Sequence, residues 1–327
     1  MSATLEDYQA DRRGRATLDD LWNCYRLYLG REPDPGGFAA YAAVVERGIG
    51  IDELTRWFAS CPEYALRMAA QPSPNIARAS LEDFDLYVPR SDAVVGEEIL
   101  SLGEYEPHVT GPLEAALRPG MTVVDIGANI GWYSLLASRR VGGEGRVIAI
   151  EPLARNVKLL FANKTANQAD NIEIHPYGVG DREGLITLLS TGSIASSRET
   201  QLDDVLTTNG FEIGYARTLD QILAGRSAEL IKIDVDGFDH KAMVGARETL
   251  SRYHPEVFCE FAPGHLETFS GVAPEAYLRL FRDHGYDDFT VLVRGREPQN
   301  VGDDIERILP MPGALGATHV DLHIRRR

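Results

Sequence analysis

The sequence has 327 residues, 44% of them hydrophobic and 25% charged, enough for one large α/β domain and a smaller companion. Its 33 basic residues stand against 49 acidic ones, a net charge of −16 that repels a phosphate backbone and argues against a nucleic-acid partner. Three scattered cysteines without a CxxC pair exclude a disulfide scaffold, and no apolar run nears the roughly 20 residues of a membrane span, so a cytoplasmic protein is expected.

Residues 1–70 read as a helical domain. Thr17-Leu-Asp-Asp20 has the pattern of an N-cap with an acid at the third helical position, and Leu18, Leu21, Trp22, Tyr25 and Leu29 follow at helical spacing. The run Gly30-Arg-Glu-Pro-Asp-Pro-Gly-Gly37 breaks that helix, and helical character resumes from Phe38 to Arg47. Asp52 is positioned to cap a third helix through Phe58, and Ser60-Cys-Pro-Glu63 opens a fourth. Residues 71–80, with Gln71-Pro-Ser-Pro-Asn75, read as a linker to a second domain over 81–327.

In that second domain, β-branched runs recur at Thr122–Ile126, Arg146–Ile150, Ile172–Ile174, Leu185–Leu189, Leu230–Ile233 and Glu256–Phe261. Amphipathic stretches lie between most of them, which predicts a mostly parallel sheet with helices on both faces. Phe289–Val293 and His319–Ile324 have no helical pattern between them and predict a terminal antiparallel hairpin. Ser190–Ser197 reads as a small polar loop beside the substrate, and Thr207–Arg217 has no clear assignment.

The most informative run is Thr122-Val-Val-Asp-Ile-Gly-Ala-Asn-Ile-Gly131, a buried strand that turns through glycines into a helix. Gly127 and Gly131 are expected to let the backbone approach a ligand closely, at the carboxyl end of the first strand. Glu151 ends the next strand, where a carboxylate can accept both hydroxyl protons of a ribose, and Asp181 can accept from an adenine amino group. The turn lacks the middle glycine that admits a pyrophosphate, and Asp125 would repel one while suiting an ammonium. Adenosine plus a cationic amino acid points to S-adenosyl-L-methionine.

Asp125-Ile-Gly-Ala-Asn-Ile-Gly-Trp-Tyr-Ser134, Ala149-Ile-Glu-Pro152 and Ile231-Lys-Ile-Asp-Val-Asp-Gly-Phe-Asp239 resemble the FkbM family of methyltransferases. Gly103-Glu-Tyr-Glu-Pro-His108 resembles the segment ahead of that family's first motif, and Glu260 matches an acid ending its fifth core strand. The resemblance implies a Rossmann-like class I methyltransferase fold, with seven strands, mostly parallel, and the last antiparallel. It also implies Glu106, Asp125, Gly127, Ala128, Asn129, Gly131, Glu151, Pro152 and Asp181 as cofactor contacts. Asp236 and Asp239 stand where the family usually has glutamates. Tyr28 to Gly37 and Ser60 to Tyr64 resemble phycobilisome-linker repeats, which implies a protein partner for the N-terminal domain.

A methyl donor needs an acceptor aligned and deprotonated. Lys232 and Asp234 share one strand face, and Asp234 is the first candidate for the reaction centre. His240, in the first turn of a helix that Asp236 would cap, and His265, after Glu260, are candidate bases. Asp234, Asp236 and Glu260 offer oxygen ligands for a possible Mg²⁺. The favoured expectation is O-methylation of a small-molecule or glycan acceptor, on a sugar or secondary-metabolite hydroxyl. The alternatives are a cofactor-binding scaffold without turnover and an NAD-dependent oxidoreductase.

Overall fold

A computed structural model describes residues 15–64, 75–191, 194–200 and 211–327. The chain divides into two units, residues 1–74 and 75–327.

In the first unit, Thr17 caps the helix Leu18–Cys24 as its spacing predicts, accepting from the Asp20 N–H while the Asp20 carboxylate accepts from the Thr17 N–H at 2.8 Å. A wider π turn, Tyr25–Leu29, continues it and ends at Gly30 in the left-handed region. The second helix, Pro35–Glu46, starts earlier than expected because Asp34 caps it, accepting from the Gly37 N–H at 2.8 Å. The third, Ile51–Ser60, begins at Gly50 without a side-chain cap, so Asp52 is not its capping residue. Residues 62–64 are helical. Leu21, Cys24, Tyr25, Val45, Leu54 and Phe58 form this unit's own core.

The second unit opens with strands β1 (Ile76–Ser80) and β2 (Asp85–Pro89), an antiparallel pair. The expected linker thus includes a strand. Next come β3 (Thr122–Ile126), β4 (Arg146–Ile150), β5 (Ile172–His175), β6 (Gly178–Val179), β7 (Gly184–Thr191), β8 (Ile194–Glu199) and β9 (Phe211–Arg217). The chain continues through β10 (Leu230–Ile233), β11 (Glu256–Phe261), β12 (Asp288–Leu292), β13 (Gln299–Gly302) and β14 (Val320–Arg325).

Eight of these strands make one sheet in the order β13-β12-β14-β11-β10-β3-β4-β5. Parallel pairing runs from β11 to β5, and β14 is antiparallel to both of its neighbours. The last strand is therefore the reversed one, as implied, and β13 adds an eighth strand at the edge. β12 and β14 pair antiparallel but form no simple hairpin, because β13, a 3₁₀ turn at Ile305–Arg307 and the helix Met311–Leu315 intervene.

The central strands are buried on both faces. Val124 and Ile126 join one core and Val123 joins the other, each such side chain contributing about 1.5–3 kcal/mol by its burial. This two-sided burial explains why their sequences run continuously apolar.

Leu185–Leu189 belongs elsewhere. It lies in β7 of a second sheet, β6-β9-β7-β8, and pairs antiparallel with both β8 and β9. Leu185 is exposed, but Ile186, Thr187 and Leu188 are all buried, so the strand shows no simple alternation. That continuous burial makes it read like a central strand from the sequence alone. The expected polar loop at 190–197 falls largely in β7 and β8, with residues 192–193 outside the described ones. Of the unassigned stretch, 211–217 is β9 and 207–210 lie outside the described residues. The three cysteines are free.

Candidate active site

The cofactor turn follows β3. Gly127 has φ +81° and Gly131 φ +103°, both in the region that favours glycine. The close approach that demands them is internal: a β-carbon on Gly127 would drive into the Asp234 carbonyl oxygen, and one on Gly131 would lie 2.6 Å from Leu160 Cδ1. Collisions within the protein thus forbid these β-carbons on their own. Gly131 then starts the helix Trp132–Val141. Fully buried Asn163 anchors the turn, donating to the Ile130 carbonyl at 2.7 Å and accepting from the Tyr87 N–H at 2.6 Å.

The turn opens onto a cleft of about 340 Å³ at the carboxyl ends of the strands. Glu106, Asp125, Gly127, Ala128, Asn129, Glu151, Pro152, Lys232, Asp234, Asp236, Glu260 and His265 line it together. Gly131 does not line it. Asp181 lines a separate groove with Arg182, Glu199 and Phe238, and its carboxylate lies 3.5 Å from Arg182. It falls outside the cleft because it follows β6, which joins the second sheet. His240 lines neither space. Burial first, then Arg247, lowers its proton affinity, which keeps the ring neutral in the first turn of the helix Asp239–Val244.

Glu151 is buried, and its two oxygens accept from the Asn129 N–H at 2.9 Å and the Leu153 N–H at 2.8 Å. Burial pushes its carboxyl up to about 7 against those donors. Asp125 accepts from Ser134 Oγ at 2.5 Å, and burial raises it to about 6. Glu106 is one of three non-glycine residues of the cleft in the left-handed region, with Asn129 and Asp236. It accepts from the Tyr133 hydroxyl at 2.7 Å, and burial, reinforced by Asp234 and opposed by Lys232, pushes it up to about 7.

Lys232 is the one lysine or arginine among the described lining residues. It is 2% exposed, 3.3 Å from Asp234 and 5.0 Å from the centre of the Tyr133 ring. Burial disfavours its charge, but Asp234, Glu106, Asp321 and Asp125 outweigh that and hold it as an ammonium. One cation thus faces several acids, which favours a positively charged guest and disfavours a pyrophosphate.

The acids do not assemble into a metal site. Among the described residues no group of three histidines, cysteines or acids is placed to hold an ion. Asp234 is directed at Lys232, and Glu260 faces His265 and His319 instead. Asp236 is not a helix cap either: it lies in a left-handed turn, and the helix Asp239–Val244 starts after Phe238. Burial, with Asp234 and Asp239, pushes Asp236 up to about 7.

Sequence reasoning missed Tyr105, Thr318 and His319, which also line the cleft, as does Ser197 from the end of the expected substrate loop. Their one local signal is the polar alternation His319, Asp321, His323 entering an otherwise apolar strand.

A parallel sheet whose last strand runs backwards, with a glycine turn and an acid at the ends of its first two core strands, defines the class I S-adenosylmethionine-dependent methyltransferase fold. Residues 125–287 match the methyltransferase FkbM domain, and the chain carries a methyltransferase domain of that family. A ribosomal RNA large subunit methyltransferase E of Legionella pneumophila is 36% identical over 69 residues, 21% of this chain and 32% of that protein. An arsenite methyltransferase of Halobacterium salinarum is 33% identical over 66 residues, 20% of this chain and 17% of that protein. The chain therefore spans a third or less of these curated relatives. A crystal structure of methyltransferase FkbM from Methylobacillus flagellatus covers 92% of this chain and 58% of its own, at 17% identity and a TM-score of 0.40. Among the described residues no helix is long and apolar enough to cross a membrane.

Proposed function

We propose that the protein transfers a methyl group from S-adenosylmethionine to a hydroxyl of an uncharged small molecule, such as a sugar or a secondary metabolite. The observation that carries this reading is the convergence of buried Glu151 and the acid-rich wall around Lys232 on one cleft beside the Gly127 turn. When bound, the cofactor supplies an electrophilic methyl on a positively charged sulfur. Glu151 accepts from the ribose hydroxyls, while Glu106 and Asp125 provide negative charge for the amino-acid end. Asp234, fixed by Lys232, borders the reacting groups. The same acids repel phosphorylated or carboxylated acceptors, which supports a neutral one. The first unit, by its linker-repeat resemblance, would dock a protein partner.

Calorimetric titration with S-adenosylhomocysteine, run beside NAD, tests the cofactor. Micromolar binding of the first and none of the second is expected. Binding of NAD alone overturns the reading, and binding of neither leaves a scaffold without turnover.

A further inference from the structure

On the wall of the cleft away from the glycine turn, Glu260 stands between two histidines from distant parts of the chain. Its Oε1 lies 4.0 Å from His265 Nδ1 and its Oε2 lies 3.6 Å from His319 Nδ1. Glu260 comes from the central strand β11, where it pairs in register with Asp321 of β14, and its side chain is 16% exposed. His319 immediately precedes β14 and is 44% exposed, so the return of the last strand carries it to the cleft.

The two imidazoles are held differently. His319 Nδ1 also lies 3.2 Å from Thr318 Oγ1, so two oxygens address that nitrogen, and nothing described hydrogen-bonds its Nε2. His265 Nδ1 is buried without a hydrogen-bond partner. His265 is also fixed from behind, since a β-carbon on Gly237 would lie 2.5 Å from its Cβ. The nearest oxygens of Thr318 and Glu260 both lie toward Nδ1, so a proton on Nδ1 would leave Nε2 as the basic nitrogen of the ring.

We propose that His319 is the catalytic base of this site and that Glu260 is its positioning residue. The inference rests on the methyl-transfer reading above. In the step, the acceptor oxygen forms its bond to the methyl carbon and the carbon–sulfur bond breaks, its electron pair remaining on sulfur. The hydroxyl proton passes to His319 Nε2. One positive charge leaves the sulfur as one arrives on the imidazole, so the net charge of the cleft is unchanged. The charged groups facing this histidine suit that exchange: Glu260 directly, with Asp234, Asp236, Asp239 and Asp321 acting on Glu260 and Lys232 already committed to Asp234. Burial, reinforced by these acids, raises the proton affinity of Glu260, so an adjacent imidazolium is electrostatically welcome.

The test is imidazole ¹⁵N NMR of the full chain at pH 7.5, with the cofactor and with S-adenosylhomocysteine, the His319 signal being assigned by its loss in His319→Asn. The expected result is a neutral ring with the proton on Nδ1 in the cofactor complex. Replacing the cofactor by S-adenosylhomocysteine, whose sulfur is uncharged, should shift the His319 Nε2 resonance, because the positive charge beside it is gone. Glu260→Gln should remove the Nδ1–H preference while keeping S-adenosylhomocysteine affinity within about twofold, which a merely structural Glu260 would not do. A proton on Nε2, an imidazolium with the cofactor bound, or an Nε2 resonance identical in both complexes overturns the assignment of the base. A shift confined to His265 transfers the role there and equally overturns it. Failure of the wild-type chain to bind S-adenosylhomocysteine at all removes the methyl-transfer reading itself.

Discussion

The two walls of the cleft are built in opposite ways. On the proposed reading, the cofactor wall comes mainly from one short run, residues 125–152, in which each strand ends in a turn carrying its functional residue, joined by Glu106 from upstream. The acceptor wall draws Tyr105, Ser197, Glu260, His265, Thr318 and His319 from four separate stretches, Ser197 coming from the second sheet and His319 from the antiparallel return of β14. Local sequence encodes the first wall, and tertiary topology alone assembles the second. A shared scaffold can therefore keep its donor site while its acceptor site changes.

The sharpest way to break this contrast is at Gly127. Gly127→Ala combines a left-handed backbone with a β-carbon driven into the Asp234 carbonyl, and should cost on the order of 2–5 kcal/mol. Thermal denaturation reads that loss directly. A stability within 0.5 kcal/mol of wild type, to an order of magnitude, would mean that the glycine answers to a ligand and not to its neighbours. Next in size, Glu151→Ala should weaken S-adenosylhomocysteine binding roughly a hundredfold or more, since two hydroxyl donors lose a charged acceptor. Unchanged affinity by calorimetry would end the ribose assignment.

Acidity separates folding from binding. Burial leads the rise of Glu106, Glu151, Asp236 and Asp239 to about 7 and of Asp125 to about 6, above ordinary carboxyl values. The folded chain then binds more protons than the unfolded one between roughly pH 4 and 7, and its stability falls as pH rises through that window. The ligand-free protein should melt a few degrees higher at pH 5.5 than at pH 8, to an order of magnitude. Cofactor affinity should move the other way, falling by up to about tenfold per unit below 7 as the Glu151 carboxylate is protonated. A melting temperature that instead rises with pH would show that these acids are ionised without penalty.

The smallest effect is expected at Asp181. Asp181→Ala should change S-adenosylhomocysteine affinity by no more than about twofold, because the residue faces another groove. A large loss would extend the cofactor wall beyond the cleft and restore the role expected from sequence.

The contrast also measures what the sequence made legible. The mostly parallel sheet follows from the alternation of apolar runs with amphipathic stretches, and Asp125 and Glu151 were readable because each ends a run buried on both faces. Asp181 was expected at the cofactor by its position, yet β6 and β7 around it build the second sheet and it lines another groove. His319 was invisible because its partner Glu260 lies far away in sequence, and no local spacing announces a carboxylate that β-pairing delivers. The cap assigned to Asp236 failed for a similar reason, since the left-handed turn delays the helix to Asp239.

Lys232 sits in its cage of carboxylates as an ammonium, without the lone pair an acylating reagent attacks. The chain has three other lysines, Lys158, Lys164 and Lys241. Acetylation of Lys232 should lag behind theirs and proceed only when the sheet opens. Its labelling rate is a built-in clock for the rare excursions in which the floor of the cleft comes apart.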